Sequence, residues 1–189
     1  GATGGNTETG KTVTYDSTYG TLPSPTRAYT ITFDSKGGST CNNQTATWNF
    51  GGWYNGSSLV KADSKVTTAS NHTLTASWSG GTISLPTPTK TGYTFGGWFS
   101  ESSLTNQVSN STAYTSSKTL YAKWTEITYT VAYNGNGATS GSTANSSHTY
   151  NEAKALTANG FERKYTVTYN HNYAGSKDAS KTATYTFNG

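Results

Sequence analysis

The chain has 189 residues, of which 31% are hydrophobic and 12% charged, and its formal net charge is +4. Its charge is too low for a charged disordered tail, and the scattered lysines and arginines form no cluster of the kind that binds nucleic acid. No apolar run is long enough to span a membrane. The apolar content is concentrated in fourteen tyrosines, six phenylalanines and five tryptophans, and a few such large rings can build a small core.

Alternating apolar and threonine residues predict β-strands along the chain. Tyr29, Ile31 and Phe33 are expected to share one face of a strand, with threonines on the other face. The pattern returns at 129–133 and 165–169, and a weaker copy lies at 13–15. Asp, Asn and Gly residues that tolerate positive φ follow three of these strands and predict hairpin turns at 34–38, 134–137 and 170–175.

Helical signals are weak. Residues 57–60 and 102–104 could each form a single turn, and 151–156 is the best helical stretch. All three segments are too short to be stable helices by themselves. The composition and the alternation together predict a mostly β chain with little helix.

Two stretches of the chain repeat each other. Phe-Gly-Gly-Trp-Tyr at 50–54 returns as Phe-Gly-Gly-Trp-Phe at 95–99, and each is followed by a strand that ends in Trp78 or Trp124. A period of roughly 45 residues is typical of arrays of small units. A residue that recurs in every unit more often builds the unit than performs chemistry. We therefore predict a structural core made of Trp53, Trp78, Trp98, Trp124, Phe50 and Phe95.

A proline-rich segment is also copied, as Leu-Pro-Ser-Pro-Thr-Arg at 22–27 and Leu-Pro-Thr-Pro-Thr-Lys at 85–90. Proline fixes φ and lacks an amide donor, so these segments are expected to be extended and to lie at a sheet edge or between units.

Residues 44–52 match 181–189, but the tryptophan that follows the first copy has no counterpart after the second. The C-terminal unit is therefore expected to lack its aromatic plug and closing strand. Two hypotheses follow. The chain could be a segment of a longer tandem array, or the ends of neighbouring chains could complete each other by strand addition.

No pattern of catalytic or metal-binding residues occurs. His72, His148 and His171 lack metal-ligand spacing, and the glycines at 135 and 137 lack the strand–helix context of a dinucleotide loop. Cys41 is the single cysteine and cannot form an internal disulfide. We therefore expect no enzyme activity, no catalytic residues, no cofactor and no metal. A polysaccharide-acting enzyme would need a cleft with two facing carboxylates.

Four tyrosines have no strict repeat position and are the candidates for surface contacts: Tyr19, Tyr54, Tyr114 and Tyr173. Exposed aromatic faces can stack on sugars, so a glycan- or mucin-binding module is the alternative to a structural role. Exposure of the tryptophans to solvent, measured by fluorescence, would discriminate between the two.

The motifs together resemble the Listeria–Bacteroides repeat family, the B-type repeats of internalin-like bacterial surface proteins. The resemblance is carried by residues 29–38, by Gly-Tyr-Thr-Phe-Gly-Gly-Trp at 92–98 and by Thr-Leu-Tyr-Ala-Lys-Trp at 119–124, with a variant at 129–161. It implies tandem small β-rich modules of ubiquitin-like (β-grasp) character in extracellular or cell-wall-attached proteins. It also implies stalks, filaments or adhesive arrays without catalysis, whose partners are neighbouring modules or identical chains in a fibre, or host glycans and surface proteins.

The modules are predicted at 29–79 and 80–126, preceded by a partial module with its proline linker at 1–28 and followed by an incomplete variant at 127–189. The unit at 29–79 lacks the Pro-Thr-Lys-Thr-Gly segment found at 88–92, and 160–164 runs directly into a new strand. These departures from the family pattern leave both serial and interleaved modules open.

Overall fold

The computed structural model describes residues 2–5, 10–169, 172 and 179–185. Within them all helix or strand structure is β-strand, which confirms the prediction of a mostly β chain. In chain order the strands are β1 (Gly4–Gly5), β2 (Pro25–Asp34), β3 (Gln44–Asn55), β4 (Ser58–Val60), β5 (Thr75–Gly80), β6 (Tyr93–Phe99), β7 (Lys118–Glu126), β8 (Thr128–Val131), β9 (Ser140–Gly141), β10 (Ser146–Thr149), β11 (Phe161–Tyr169) and β12 (Ala179–Tyr185).

The chain divides into two compact units, Gly1–Thr125 and Glu126–Gly189. The predicted boundary after residue 126 lies one residue from this division. Inside the first unit, segments from both predicted modules, 29–79 and 80–126, share one sheet and one core. The finer division of the chain into four modules stays a prediction.

The first unit contains a seven-stranded sheet in the order β4-β3-β2-β7-β6, with β1 added to β2 and β5 added to β3. Strand β3 is long enough to pair with several neighbours: its first half runs antiparallel to β2, and its second half runs antiparallel to β4 and β5. Strand β2 pairs in parallel with β7, with Phe33 opposite Leu120. The strands of the two repeated stretches therefore lie side by side in one sheet, and they are joined where β2 pairs with β7.

The core of the first unit follows the predicted alternation. Ile31 and Phe33 are buried while Thr30 and Thr32 on the other face of β2 are exposed. The main core cluster combines residues from β2, β3, β6, β7 and the loops between them: Ile31, Phe33, Ala46, Ile83, Trp98, Tyr114, Leu120 and Ala122. A second, smaller cluster consists of Tyr19, Val60 and Val66.

The second unit has two small sheets. Strand β8 pairs antiparallel with β10, and β11 lies between β12 and β9. Its described residues contain no buried large apolar side chain, whereas Tyr129, Tyr165, Val167 and Tyr169 are exposed. This unit therefore presents apolar faces that its own described residues do not cover.

Two of the predicted turns form as expected, and the third, at 170–175, falls mostly outside the described residues. Lys36 and Gly37 in the first turn, and Asn136 and Gly137 in the second, have positive φ. The suggested single helical turn at 57–60 is wrong. Residues 58–60 form β4, because Gly56 (φ +62°) reverses the chain and lets Leu59 pair with Tyr54. Residues 102–104 and 151–156 are likewise not helical.

Candidate functional site

The repeated residues build the same aromatic arrangement twice. The first aromatic cluster consists of Phe50, Trp53 and Trp78, and the second of Phe95, Trp98 and Trp124. Phe50 lies 5.6 Å from Trp53 and 5.4 Å from Trp78, measured between ring centroids. The corresponding distances from Phe95 are 5.6 Å and 5.4 Å, and the interplanar angles agree within two degrees (68° and 59° against 68° and 58°). A recurring sequence thus produces a recurring geometry.

The proline segments complete both clusters by accepting a hydrogen bond. The Trp53 indole N–H donates to the Pro23 carbonyl over 2.8 Å, and the Trp98 indole N–H donates to the Pro86 carbonyl over 2.7 Å. These segments were predicted to lie at a sheet edge or between units. In the structure each segment also lies over a tryptophan, where its proline carbonyl satisfies an indole that would otherwise be a partly buried, unpaired donor.

A cation lies beside each cluster. The Arg27 guanidinium lies 6.0 Å from the Trp78 ring centroid and 4.2 Å from that of Trp48. Lys90 takes the equivalent place, with its ammonium 5.9 Å from Trp124 and 4.2 Å from Tyr93. Such cation–π contacts contribute about 0.5–1 kcal/mol each at exposed sites. The cations therefore support the rings and leave fewer exposed aromatic faces for a ligand.

The glycines of the two boxes have a backbone role. Gly52 and Gly97 adopt φ of +117° and +103°, which residues with a side chain rarely adopt. At Gly52 the pairing of β3 with β5 is also shifted by a bulge between Phe50 and Gly52. The bulge inserts one extra residue into β3 shortly before Trp53.

The two clusters differ in what covers them. Trp98 is only 1% exposed and belongs to the main core, where the Phe33 ring lies 4.8 Å away at 60°. Trp53, Trp78 and Trp124 are half-buried, as are Phe50 and Phe95. All six rings predicted to form the core therefore pack within the first unit, but they do so to different depths.

A pocket of about 750 Å³ lies beside the first cluster. Its wall includes Trp53, Leu74, Tyr15 and a hydrogen-bonded pair, in which Tyr19 Oη lies 2.7 Å from His72 Nε2. His72 Nδ1 lies 2.9 Å from the Ser70 carbonyl and must donate to it, so Nε2 accepts from the tyrosine hydroxyl. Both histidine nitrogens are thus engaged, and the rest of the wall combines aromatic and aliphatic side chains with polar ones such as Lys11 and Asn71.

The tyrosines predicted to make surface contacts need correction. Tyr19 is 5% exposed and Tyr114 is 4% exposed, because each is a core residue of one of the two clusters of buried side chains. Tyr54 is half-buried, and Tyr173 lies outside the described residues. Among the tyrosines whose burial is described, the exposed ones are Tyr15 in the first unit and a group in the second unit: Tyr129, Tyr150, Tyr165 and Tyr169. Only the alternating strand pattern could have identified this second group.

The carboxylates that depart from their ordinary pKa are distant from one another in the sequence: Asp34 ends β2, Glu101 lies in a turn and Glu162 lies in β11. The Lys36 ammonium and amide hold the pKa of Asp34 below its usual value, the Ser100 hydroxyl does the same for Glu101, and Lys164 does so for Glu162. Burial raises the pKa of the Cys41 thiol, which packs at the edge of the main core. In the described part of the chain no three His, Cys, Asp or Glu side chains are placed to hold a metal ion.

The fold and the clusters define an all-β protein with an internal repeat. Residues 78–123 match the model of the Listeria-Bacteroides repeat domain, which confirms the predicted resemblance over this part of the chain. Domains of this family occur in bacterial surface proteins. Searches of curated proteins and of solved structures gave no match.

Proposed function

We propose that this chain is an extracellular or cell-wall-attached structural segment of a bacterial surface stalk, filament or adhesin, built from small β-rich modules of β-grasp character and without catalysis. One observation carries the proposal. The aromatic cluster, its proline carbonyl and its cation occur twice with matching distances. Each of these groups contacts other residues of the first unit.

The way in which the repeats are joined supports a mechanical role. Strand β2 lies between β3 of one repeated stretch and β7 of the other, and its parallel pairing with β7 joins residues that are far apart in the chain. The Trp124 indole also donates to the Ser35 carbonyl over 2.8 Å, which fixes the β2 turn against β7. Stability in repeat arrays depends on such contacts between neighbours. The β2–β7 pairing and the shared core therefore make each repeat support the other.

Force spectroscopy on the full chain tests this role. Stretching is expected to unfold the first unit in one event, because neither repeat keeps a complete core without the other. Its 125 residues would release roughly 400 Å of chain. Two successive events of less than half that length would mean independent modules. Unfolding at forces that a surface stalk never resists would contradict the structural proposal itself.

The alternative function is a glycan- or mucin-binding module. The observation in its favour is the exposed group Tyr129, Tyr165 and Tyr169, whose faces are available for stacking. Titration with mucin glycans while tyrosine signals are followed by NMR tests it. Saturable shifts confined to these rings would favour binding, and their absence would favour the structural proposal.

In the described residues no helix is long and apolar enough to cross a membrane.

A further inference from the structure

The two repeats differ at one edge of the sheet. Strand β7 carries Leu-x-Ala-x-Trp at 120–124, and the same residues recur at 74–78, where Leu74 directly precedes β5. Strand β7 has β2 as a parallel neighbour. Among the described residues β5 pairs only with β3, so its other edge has no strand beside it. An unpaired edge is a template for another strand.

The second repeat shows which side chains belong at this position. Strand β2 contributes Ile31 and Phe33, both buried, and the Phe33 ring packs edge-on against Trp98 at 4.8 Å. The equivalent Trp53 faces the pocket of about 750 Å³, which is also lined by Leu74, the counterpart of Leu120. The pocket therefore suits an extended strand with a β-branched aliphatic residue followed two positions later by an aromatic one.

Residues 12–16 have this pattern, yet they lie beside the pocket instead of in it. Tyr15 is 63% exposed where its counterpart Phe33 is 8% exposed. Val13 packs against the small core cluster. The backbone is also fixed at the next residues, because the Asp16 amide donates to the Val66 carbonyl (2.9 Å) and the Val66 amide donates to the Ser17 carbonyl (2.8 Å).

Strand β11 is a second copy of the pattern and lacks a complete set of neighbours. Thr-Val-Thr-Tyr at 166–169 matches Thr-Ile-Thr-Phe at 30–33. Tyr165, Val167 and Tyr169 are 50%, 44% and 53% exposed. One edge of β11 pairs with β12, while the other edge meets β9 only at Phe161 and Glu162 among the described residues. An apolar face and a free edge thus coincide on one strand.

We propose that residues 72–75, which lead into β5, and the adjoining pocket accept an extended strand, and that the strand is β11 of a second copy of this chain. The pairing is parallel and follows the register of β2 on β7, where Phe33 lies opposite Leu120 and Thr32 opposite Thr119. Tyr169 then lies opposite Leu74, with its ring in the pocket against Trp53, and Thr168 lies opposite Thr73. Main-chain hydrogen bonds supply affinity and the pocket supplies specificity.

The contact joins different surfaces of the two copies, so it is heterologous. Each bound copy still offers its own acceptor or donor, and such contacts extend into rings or open filaments. The proposal rests on the filament form of the proposed function and goes beyond its stalk and adhesin forms, which require no contact between copies. A chain that bears force as a monomer would leave the proposed function intact and would remove only this inference.

Disulfide trapping between copies tests the register. In a Cys41→Ser background, a Thr73→Cys chain is mixed with a Thr168→Cys chain and oxidised in air. Both positions are exposed, so neither change disturbs a core. We expect a disulfide-linked heterodimer. The matched control replaces Thr168→Cys by Thr166→Cys on the same face of β11. Its Cα would lie about 8 Å from position 73, beyond disulfide reach, and several-fold less heterodimer should form.

Three outcomes would overturn the proposal. Equal yields from Thr168→Cys and Thr166→Cys would show that the chains crosslink through random collisions and do not pair in a fixed register. A crosslink that forms in one chain carrying Thr14→Cys and Thr73→Cys, with no heterodimer from the mixture, would place residues 12–16 in the site. A crosslink between positions 73 and 168 that forms only within one chain would mean that the site is filled by β11 of the same chain and not by that of a second copy.

Sedimentation of the full chain gives an independent readout. Wild-type protein is expected to gain mass as its concentration rises, and Val167→Lys should remain monomeric because its ammonium would lose water in a pocket that the Lys11 cation already lines. Val167→Ile keeps the aliphatic shape and should associate as wild type does. Val167 is exposed, so both variants should show wild-type circular dichroism. Association of Val167→Lys equal to that of wild type would exclude β11 as the donor.

Discussion

The two aromatic clusters have the same internal geometry and different surroundings. In each, a phenylalanine lies between two tryptophans at nearly identical distances and a proline carbonyl holds one indole. Around Trp98, strand β2 adds Ile31 and Phe33 and excludes water. Around Trp53 the equivalent volume is a pocket. The local sequence therefore determines the cluster, while a strand distant in sequence determines whether it becomes a core.

The largest expected effect is a difference in the free energy of unfolding between Trp98→Ala and Trp53→Ala. Trp98→Ala should lower the free energy of unfolding by about 3–5 kcal/mol, because a fully buried ring leaves a cavity. Trp53→Ala should cost about 1–2 kcal/mol, since the ring is half-buried and already borders open space. Both variants lose one indole hydrogen bond to a proline, so that term cancels in the comparison. Urea unfolding followed by circular dichroism measures the difference.

Equal losses for the two tryptophan variants would contradict this comparison. They would mean that the pocket beside Trp53 is closed in solution, by residues 12–16 or by another strand. Repeating the measurement at several protein concentrations distinguishes these cases, because only a strand from another copy makes the loss depend on concentration.

A second pair of variants tests the covering strand directly. Phe33→Ala should destabilise the first unit by about 3 kcal/mol, since it removes a buried ring that packs against Trp98. Tyr15→Ala, at the matching position of the weaker copy, should change stability by less than about 0.5 kcal/mol because the ring is exposed. Thermal melts of both variants provide the check. A large loss for Tyr15→Ala would place that ring inside the pocket.

A third pair compares two buried tyrosines. Tyr19→Phe should cost about 1 kcal/mol, because it removes the hydrogen bond to His72 and leaves that ring nitrogen without its donor. The Tyr114 hydroxyl is buried and has no hydrogen-bond partner among the described atoms. Tyr114→Phe should therefore be neutral or should stabilise the protein by about 1 kcal/mol. Chemical unfolding of the two variants under identical conditions is the measurement.

A loss of stability for Tyr19→Phe together with a gain for Tyr114→Phe would support both the hydrogen-bonded Tyr19 hydroxyl and the unpaired Tyr114 hydroxyl. A loss for Tyr114→Phe as large as that for Tyr19→Phe would mean that the Tyr114 hydroxyl is bonded in solution, for example to a buried water.

Much of the fold could be predicted from local patterns. The alternation at 29–33 predicts which face of β2 is buried, and Asp or Asn followed by Gly predicts the turns, because both depend only on neighbours in sequence. The repeat period identified the rings that form the clusters. These features have one physical cause, the fixed direction of side chains along an extended backbone.

The rest depends on contacts between distant residues. The proline segments were expected at an edge or between units, but their carbonyls are the partners of the indoles. Tyr19 and Tyr114 were expected at the surface, but they fill space between elements that no local pattern describes. The parallel pairing of β2 with β7, which decides the burial of Trp98, likewise cannot be read from either strand alone.

The smallest expected effect concerns the turn that follows β2, compared with the turn at Asp16. Lys36 lowers the pKa of Asp34 below the ordinary 3.8, so the folded state favours the carboxylate. The stabilisation is present above the unfolded-state pKa and is lost as pH falls from about 5 through the lowered pKa. It should stay below about 1 kcal/mol, because the Asp34 side chain is 39% exposed and solvent screens the pair. Melting temperatures across this range should therefore fall less steeply for Asp34→Asn than for wild type, and added salt should reduce the difference.

Asp16→Asn is the matched control. Its carboxylate pairs with Lys65 at 2.9 Å, but the two side chains are 69% and 65% exposed, so removing this ion pair at neutral pH should cost less stability than removing the one at Asp34. A larger effect at Asp16 than at Asp34 would reverse the order of the two turns and would show that residues 12–16 are held more firmly than their exposure indicates.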